Sequence, residues 1–218
     1  MIDWQTINTV LLDMDGTLLD LNYDNYFWQE YVPQSFARQQ DISIEEAKRR
    51  LMQRYKAVEG TIDWYCVDYW TQSLQLDIAF LKEEVAHLIA VHPYVTDFLE
   101  SLSIAGKRPV LVTNAHHKSI ALKMRHTLLG RHFDQVVCAH DFGIPKEDGR
   151  FWDHLRRSVQ FDPQSTLLID DNEKVLLSAC NYGIRHLLAV SKPDTQQAGK
   201  NSTEFQMITS FKELIPVI

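Results

Sequence analysis

The sequence contains no apolar run approaching the ~18 residues that cross a bilayer, so a membrane span is not expected. It also lacks a basic surplus. With 22 Lys and Arg against 29 Asp and Glu, the formal net charge is −7, which leaves no cationic footprint for a nucleic-acid backbone. The three cysteines, Cys66, Cys138 and Cys180, are odd in number and far apart. That excludes a disulfide framework and points to reduced thiols in a reducing compartment. No His/Cys spacing of a zinc site occurs. Residues 1–8 have neither the basic region nor the apolar stretch of a signal peptide, and the cytoplasm is the expected location. Repeats and low-complexity segments are absent too. What remains is an ordinary globular composition of 218 residues, 45% hydrophobic, 11% aromatic and 23% charged. This suits one mid-sized domain or a core carrying an insert, as a monomer or small homo-oligomer.

Short runs rich in Val, Ile and Leu occur at 10–12, 109–112, 136–139, 166–169 and 186–190. Continuous apolar runs of this length fit strands buried on both faces. Helix-length segments at 94–104, 118–129, 149–159 and 173–182 separate them. The alternation predicts an α/β fold, a parallel sheet flanked by helices. Residues 19–90 break the pattern. They hold no convincing strand, two aromatic clusters (23–28 and 64–70) and helical spacing over 45–58, opened by a capping box at Ser43 and Glu46. They are expected to form a separate helical domain inserted into a core of 1–18 and 91–218. The polar stretch 191–203 reads as a mobile loop before a short helix near 210–214.

Four clusters fall where predicted strands end, the place where open α/β sheets bind ligands. In Asp13-Met14-Asp15-Gly16-Thr17, two carboxylates at i and i+2 can converge on one substrate if the chain turns, and Gly16 permits the turn. Asp13 is then a nucleophile and Asp15 a general acid and base. Thr113 can donate a hydrogen bond to a phosphate oxygen, with the Asn114 backbone N–H beside it. Lys146 can balance the charge of carboxylates and phosphate. The adjacent Asp170 and Asp171 would repel each other unless a cation lies between them and Asp13, and oxygen-only ligation with open positions fits Mg²⁺.

Together these clusters resemble the haloacid dehalogenase superfamily, in its motif order and over the whole chain outside the insert. The resemblance implies a Rossmann-like core with a helical (C1-type) cap that closes over the site and selects the substrate. It also implies that Asp13 and Asp15 are catalytic and that Asp13, Asp15 (through its backbone carbonyl) and Asp171 hold Mg²⁺, with Asp170 direct or through water. Thr113, Asn114 and Lys146 would bind phosphate. Dehalogenases of this superfamily lack the acid two residues after the nucleophile, because a halide leaves without a proton. Asp15 therefore points to phosphoryl transfer. Phosphonate hydrolysis would need a cap lysine, and Lys48, Lys56 and Lys82 read as helix-surface residues. The strings VLLDMDGTLLD (10–20), DNYFW (24–28), WYCVDYW (64–70), TNAH (113–116) and GIPKED (143–148) are similar to those of bacterial purine 5′-nucleotidases acting on GMP and IMP. That similarity implies a small phosphomonoester substrate, a purine nucleotide, whose base could stack on Trp28 and Tyr65. A sugar-phosphate phosphatase or a phosphomutase would use the same catalytic residues. His116 and His117 read as helix-start residues bordering the site.

Overall fold

In the computed structural model, which describes residues 2–202 and 204–217, the predicted alternation becomes a six-stranded parallel sheet. The strands are β1 (Thr9–Leu12), β2 (Arg108–Thr113), β3 (Gln135–Cys138), β4 (Thr166–Asp170), β5 (His186–Val190) and β6 (Met207–Ile208), in the order β3-β2-β1-β4-β5-β6. Successive side chains feed opposite layers. Val10, Leu12, Leu111, Leu167 and Ile169 enter one apolar cluster, whereas Leu11, Val110, Val112 and Leu168 enter a second on the other face. All nine are fully buried, each worth roughly 1.5–3 kcal/mol relative to exposure. No helix among the described residues is long and apolar enough to cross a membrane.

Between β1 and β2 the chain is helical: α1 (Asn22–Tyr26), a π-helical turn (Phe27–Tyr31), α2 (Val32–Gln40), α3 (Ile44–Val58), α4 (Val67–Leu74) and α5 (Ile78–Glu84). These helices enclose a third cluster containing Tyr23, Phe27, Phe36, Leu51, Trp70 and Leu74. Ser43 caps α3 as expected, accepting from the Glu46 N–H at 3.2 Å. The Glu46 carboxylate, however, does not reach back as a capping box requires; it pairs with Arg49 and Arg50, each at 2.6 Å. The complete capping box is at Ser210 and Glu213, opening the Phe211–Leu214 turn. Two neighbouring linkers join the insertion to the sheet, with Asp20 N–H on the Ala90 carbonyl at 2.9 Å and His92 N–H on the Leu18 carbonyl at 2.9 Å.

The remaining helices cover the sheet. On one face, α6 (Val95–Ile104) contributes Phe98, Leu99 and Leu102, and α7 (His117–Thr127) contributes Ile120. On the other, α8 (Gly149–Val159) brings Phe151, Trp152 and Leu155, and α9 (Glu173–Tyr182) brings Val175 and Leu176. Helix α7 ends earlier than its pattern suggests, because Leu128 takes a left-handed conformation at φ 58°. The Leu122 side chain of the same helix reaches into the cluster of the insertion. The segment expected to be a mobile loop is anchored in its first half. Pro193 O accepts from Leu21 N–H at 2.8 Å, Asp194 from Asn25 at 2.7 Å, and Asp20 from the N–H and hydroxyl of Thr195. Thr203, at the end of that expectation, lies outside the described residues.

Candidate active site

The strand order places the site. From β1 the chain moves outward through β2 and β3, then returns to lay β4 on the opposite side of β1. Residues leaving the C-terminal ends of β2, β1 and β4 therefore converge, at the switch point where open α/β sheets bind ligands. The register sets Leu12 beside Leu111 and beside Ile169. Asp13, Thr113 and Asp170 follow from it as near neighbours.

Lys146 closes this arrangement. Its Nζ donates to Asp13 Oδ1 at 2.5 Å, to Asp170 Oδ2 at 2.7 Å and to the Val112 carbonyl at 3.1 Å. Asn114 positions the lysine by accepting from the Lys146 N–H at 2.9 Å. Thr113 Oγ1 accepts from Ala115 N–H at 3.1 Å, and so retains its own proton to donate. Asp13 is 6% exposed, Asp170 1% and Lys146 2%, so the ammonium and carboxylates meet in a nearly dry place.

Carboxylate oxygens of Asp13, Asp170 and Asp171 lie within 4.8 Å of one another. Three acids share one close ammonium, and the surplus negative charge shows in their titration. Burial, with Asp170 adding to it against the pull of Lys146, pushes Asp13 up to about 7. Burial also raises Asp170, and raises Asp171 well above the carboxylate range with help from Asp170 and Asp13. Against its own burial, Lys146 is held charged by Asp13 and Asp170. An all-oxygen, electron-rich donor set of this kind fits a hard divalent cation. Asp170 already spends both oxygens, on Lys146 and on the Asn172 N–H at 2.9 Å, whereas the nearest cation to Asp171 is Lys200 at 3.8 Å.

Gly16 is bound to this geometry twice over. Its φ is +83°, and a Cβ there would lie 2.7 Å from Asp171 Cγ. Gly16→Ala is expected to displace the Asp171 carboxylate and weaken divalent-cation binding roughly 10–100-fold, with only a modest loss of melting temperature. Calorimetric titration of the chelator-treated variant checks this.

Asp15 points to a residue the sequence did not single out. Lys123 Nζ, on α7, donates to Asp15 Oδ1 and to Asp24 Oδ2, both at 2.6 Å. Burial, opposed by Lys123, pushes Asp15 up to about 6. Asp24 is part-buried, and against that burial Lys123 and Lys82 together hold it down to about 2. Lys82 is not the surface residue its helical position suggested. It is 4% exposed, pairs with Asp24 at 3.1 Å and lies 4.5 Å from the Phe27 ring centre. Glu147 was missed too. Its carboxylate gathers Asn114 Nδ2 at 2.9 Å, Asn172 Nδ2 at 3.1 Å and the Tyr65 hydroxyl at 2.7 Å. Of the two aromatic candidates, Tyr65 is therefore brought to the site's edge. Trp28 instead packs edge-on against Phe27 and Tyr55, inside the insertion. His116 caps α7, and His117 opens it beside Asp141 at 3.0 Å. The insertion also gathers what the sequence kept apart: ligand atoms of Cys66, His116 and His140 lie within 4.8 Å of one another.

Residues 7–181 match the haloacid dehalogenase-like hydrolase family. The chain belongs to that family. It is 41% identical over 215 residues, 99% of this chain and 97% of the other, to the GMP/IMP nucleotidase YrfG of Escherichia coli (strain K12). Among solved structures, a HAD phosphatase from Thermococcus onnurineus superposes with a TM-score of 0.79 at 22% identity, covering 95% of this chain and 96% of that one. The L-2-haloacid dehalogenase of Xanthobacter autotrophicus gives a TM-score of 0.63 at 14% identity, covering 95% and 96%. The haloacid dehalogenase fold thus carries both phosphatases and dehalogenases, and the choice between them rests on the site.

Proposed function

We propose that this hydrolase is a Mg²⁺-dependent phosphomonoesterase acting through an aspartyl-phosphate on Asp13, with purine nucleoside 5′-monophosphates, GMP and IMP, as substrates. The observation that carries the reading is Asp15, an acid two residues from the nucleophile, raised to about 6 and held by Lys123. A halide leaves without a proton, whereas a nucleoside alkoxide needs one, and a donor titrating near neutral pH suits that task.

A carboxylate oxygen of Asp13 forms a bond to phosphorus as the bond to the leaving oxygen breaks, and Asp15 gives that oxygen its proton. Asp15 then takes a proton from water, which attacks the phosphorus and returns Asp13 and inorganic phosphate. Lys146 offsets charge on Asp13 and on the transferred group throughout, and Thr113 donates its free proton to a phosphate oxygen. Mg²⁺, held by Asp13, Asp171 and the Asp15 backbone carbonyl with Asp170 behind them, would supply further positive charge against the phosphate oxygens. Because Lys146 and Asn172 N–H already occupy Asp170, Asp171 is assigned the direct contact.

The insertion, residues 19–90, acts in this reading as a cap. It lies across the site, with Tyr65 on Glu147 and Asp68 on Lys118 at 2.6 Å, so it must open to admit substrate. Free cysteines at 66, 138 and 180 support a reducing, cytoplasmic setting.

The base preference is supported by the 41% identity to the Escherichia coli nucleotidase. Stacking alone cannot supply it, since adenine has a π-face too. A polar group reading the purine edge must discriminate, because a site built to pair with a substrate group rejects analogues lacking it. GMP and IMP are expected to show higher kcat/KM than AMP, CMP or UMP at fixed Mg²⁺. A phosphate-release comparison decides it: AMP matching GMP removes the nucleotide preference and leaves a general phosphatase.

A further inference from the structure

We propose that Cys66, His116 and His140 form a site for a soft divalent cation of the zinc class, and that the bound ion pins the helical insertion to the sheet. Each of the three offers a ligand atom, all within 4.8 Å of one another. With bonds of about 2.3 Å to sulfur and 2.0–2.1 Å to nitrogen, tetrahedral ligands stand about 3–4 Å apart. Small side-chain rotations therefore close this set on an ion. Thiolate and imidazole donors select the zinc class, in contrast to the oxygen-only cluster of Asp13, Asp170 and Asp171.

His140 is the independent pointer. Its Nε2 is buried and finds no hydrogen-bond partner among the described residues, an arrangement that costs free energy unless a ligand takes the nitrogen. Cys66 Sγ caps α4, accepting from Tyr69 N–H at 3.4 Å. On binding, the Cys66 thiol gives its proton to solvent as the sulfur–metal bond forms, with no change of oxidation state. The fourth position falls to water.

The register of β2 on β3, which pairs Thr113 with Cys138, brings the loops carrying His116 and His140 side by side. Cys66 arrives from the insertion. An ion on all three therefore ties moving part to fixed part and opposes the opening that admits substrate. This clamping consequence rests on the function proposed above; the binding itself does not.

Chelator-treated protein titrated with Co²⁺ is expected to develop a thiolate-to-cobalt charge-transfer band at one equivalent. Cys66→Ser keeps a good helix cap but should abolish the band, and His140→Ala should weaken Co²⁺ binding more than about tenfold. Asp171→Asn should leave the band in place. No band in the wild type, or a band surviving Cys66→Ser, overturns the site. With Mg²⁺ saturating, Zn²⁺ should inhibit phosphate release from GMP by the wild type at concentrations at least about tenfold lower than by Cys66→Ser. Equal inhibition of the two proteins overturns the clamp while leaving the spectroscopic result to stand or fall separately.

Discussion

Asp13→Asn is expected to abolish turnover while leaving the fold intact. The amide has the carboxylate's shape, and its oxygen can still accept from Lys146, which also keeps Asp170 at 2.7 Å and the Val112 carbonyl at 3.1 Å. What it loses is the nucleophile of the proposed mechanism and one negative charge of the acidic cluster. Folding should not suffer, because a buried site with three acids around one close ammonium gains from losing a charge. The pH dependence of stability carries the same signature. Asp13 is raised from 3.8 to about 7 on folding. Its share of stability is therefore present below pH ~4 and lost as pH rises towards ~7. In chelator, wild-type melting temperatures should fall over that window, and the Asn variant should lack this share. A variant that unfolds, or one that retains measurable turnover of GMP, contradicts the assignment.

Asp15→Ala should slow hydrolysis of GMP by roughly 10²–10⁴-fold, the usual worth of a general acid and base. The Lys123 ammonium retains Asp24 at 2.6 Å, so removing Asp15 does not strand a buried charge. Its effect should depend on the leaving group. A nucleoside alkoxide is a strong base and needs the proton in the first step, whereas p-nitrophenolate leaves with little protonation. Pre-steady-state measurement of phosphoenzyme formation separates that step from the second, in which Asp15 activates water for both substrates. Equal losses for GMP and p-nitrophenyl phosphate in the first step would remove Asp15 from the acid role.

The strand ends were legible in the sequence because a parallel sheet buried on both faces imposes continuous apolar runs, and each run stops at a polar residue that the sheet then presents. The helices Gly149–Val159 and Glu173–Tyr182 were equally plain, since Asp148 and Asn172 cap them through their own side chains. β6 was not. Two residues pairing with Ala189 and Val190 carry no periodicity of their own. Asp13, Lys146 and Asp170 could be read because each stands at a strand end or after a Pro within a recognisable string. Lys123, Asp24, Lys82 and Glu147 could not. They lie on helices or in a loop with no local mark, and their roles come from partners such as Asp15, 108 positions from Lys123. The same holds for Cys66, His116 and His140, whose spacing along the chain resembles no metal motif. Their proximity comes from the β2–β3 register, which sets the His116 and His140 loops side by side, and from the insertion, which brings Cys66 to them.

In the proposed mechanism Asp13 takes the phosphoryl group. A crystal structure of the protein with Mg²⁺ and beryllofluoride, a mimic of the transferred group, tests it most directly. The expected result is a beryllofluoride adduct on the Asp13 carboxylate, with Lys146 and the Thr113 hydroxyl within hydrogen-bonding reach of its fluorines. An adduct on any other side chain would contradict it.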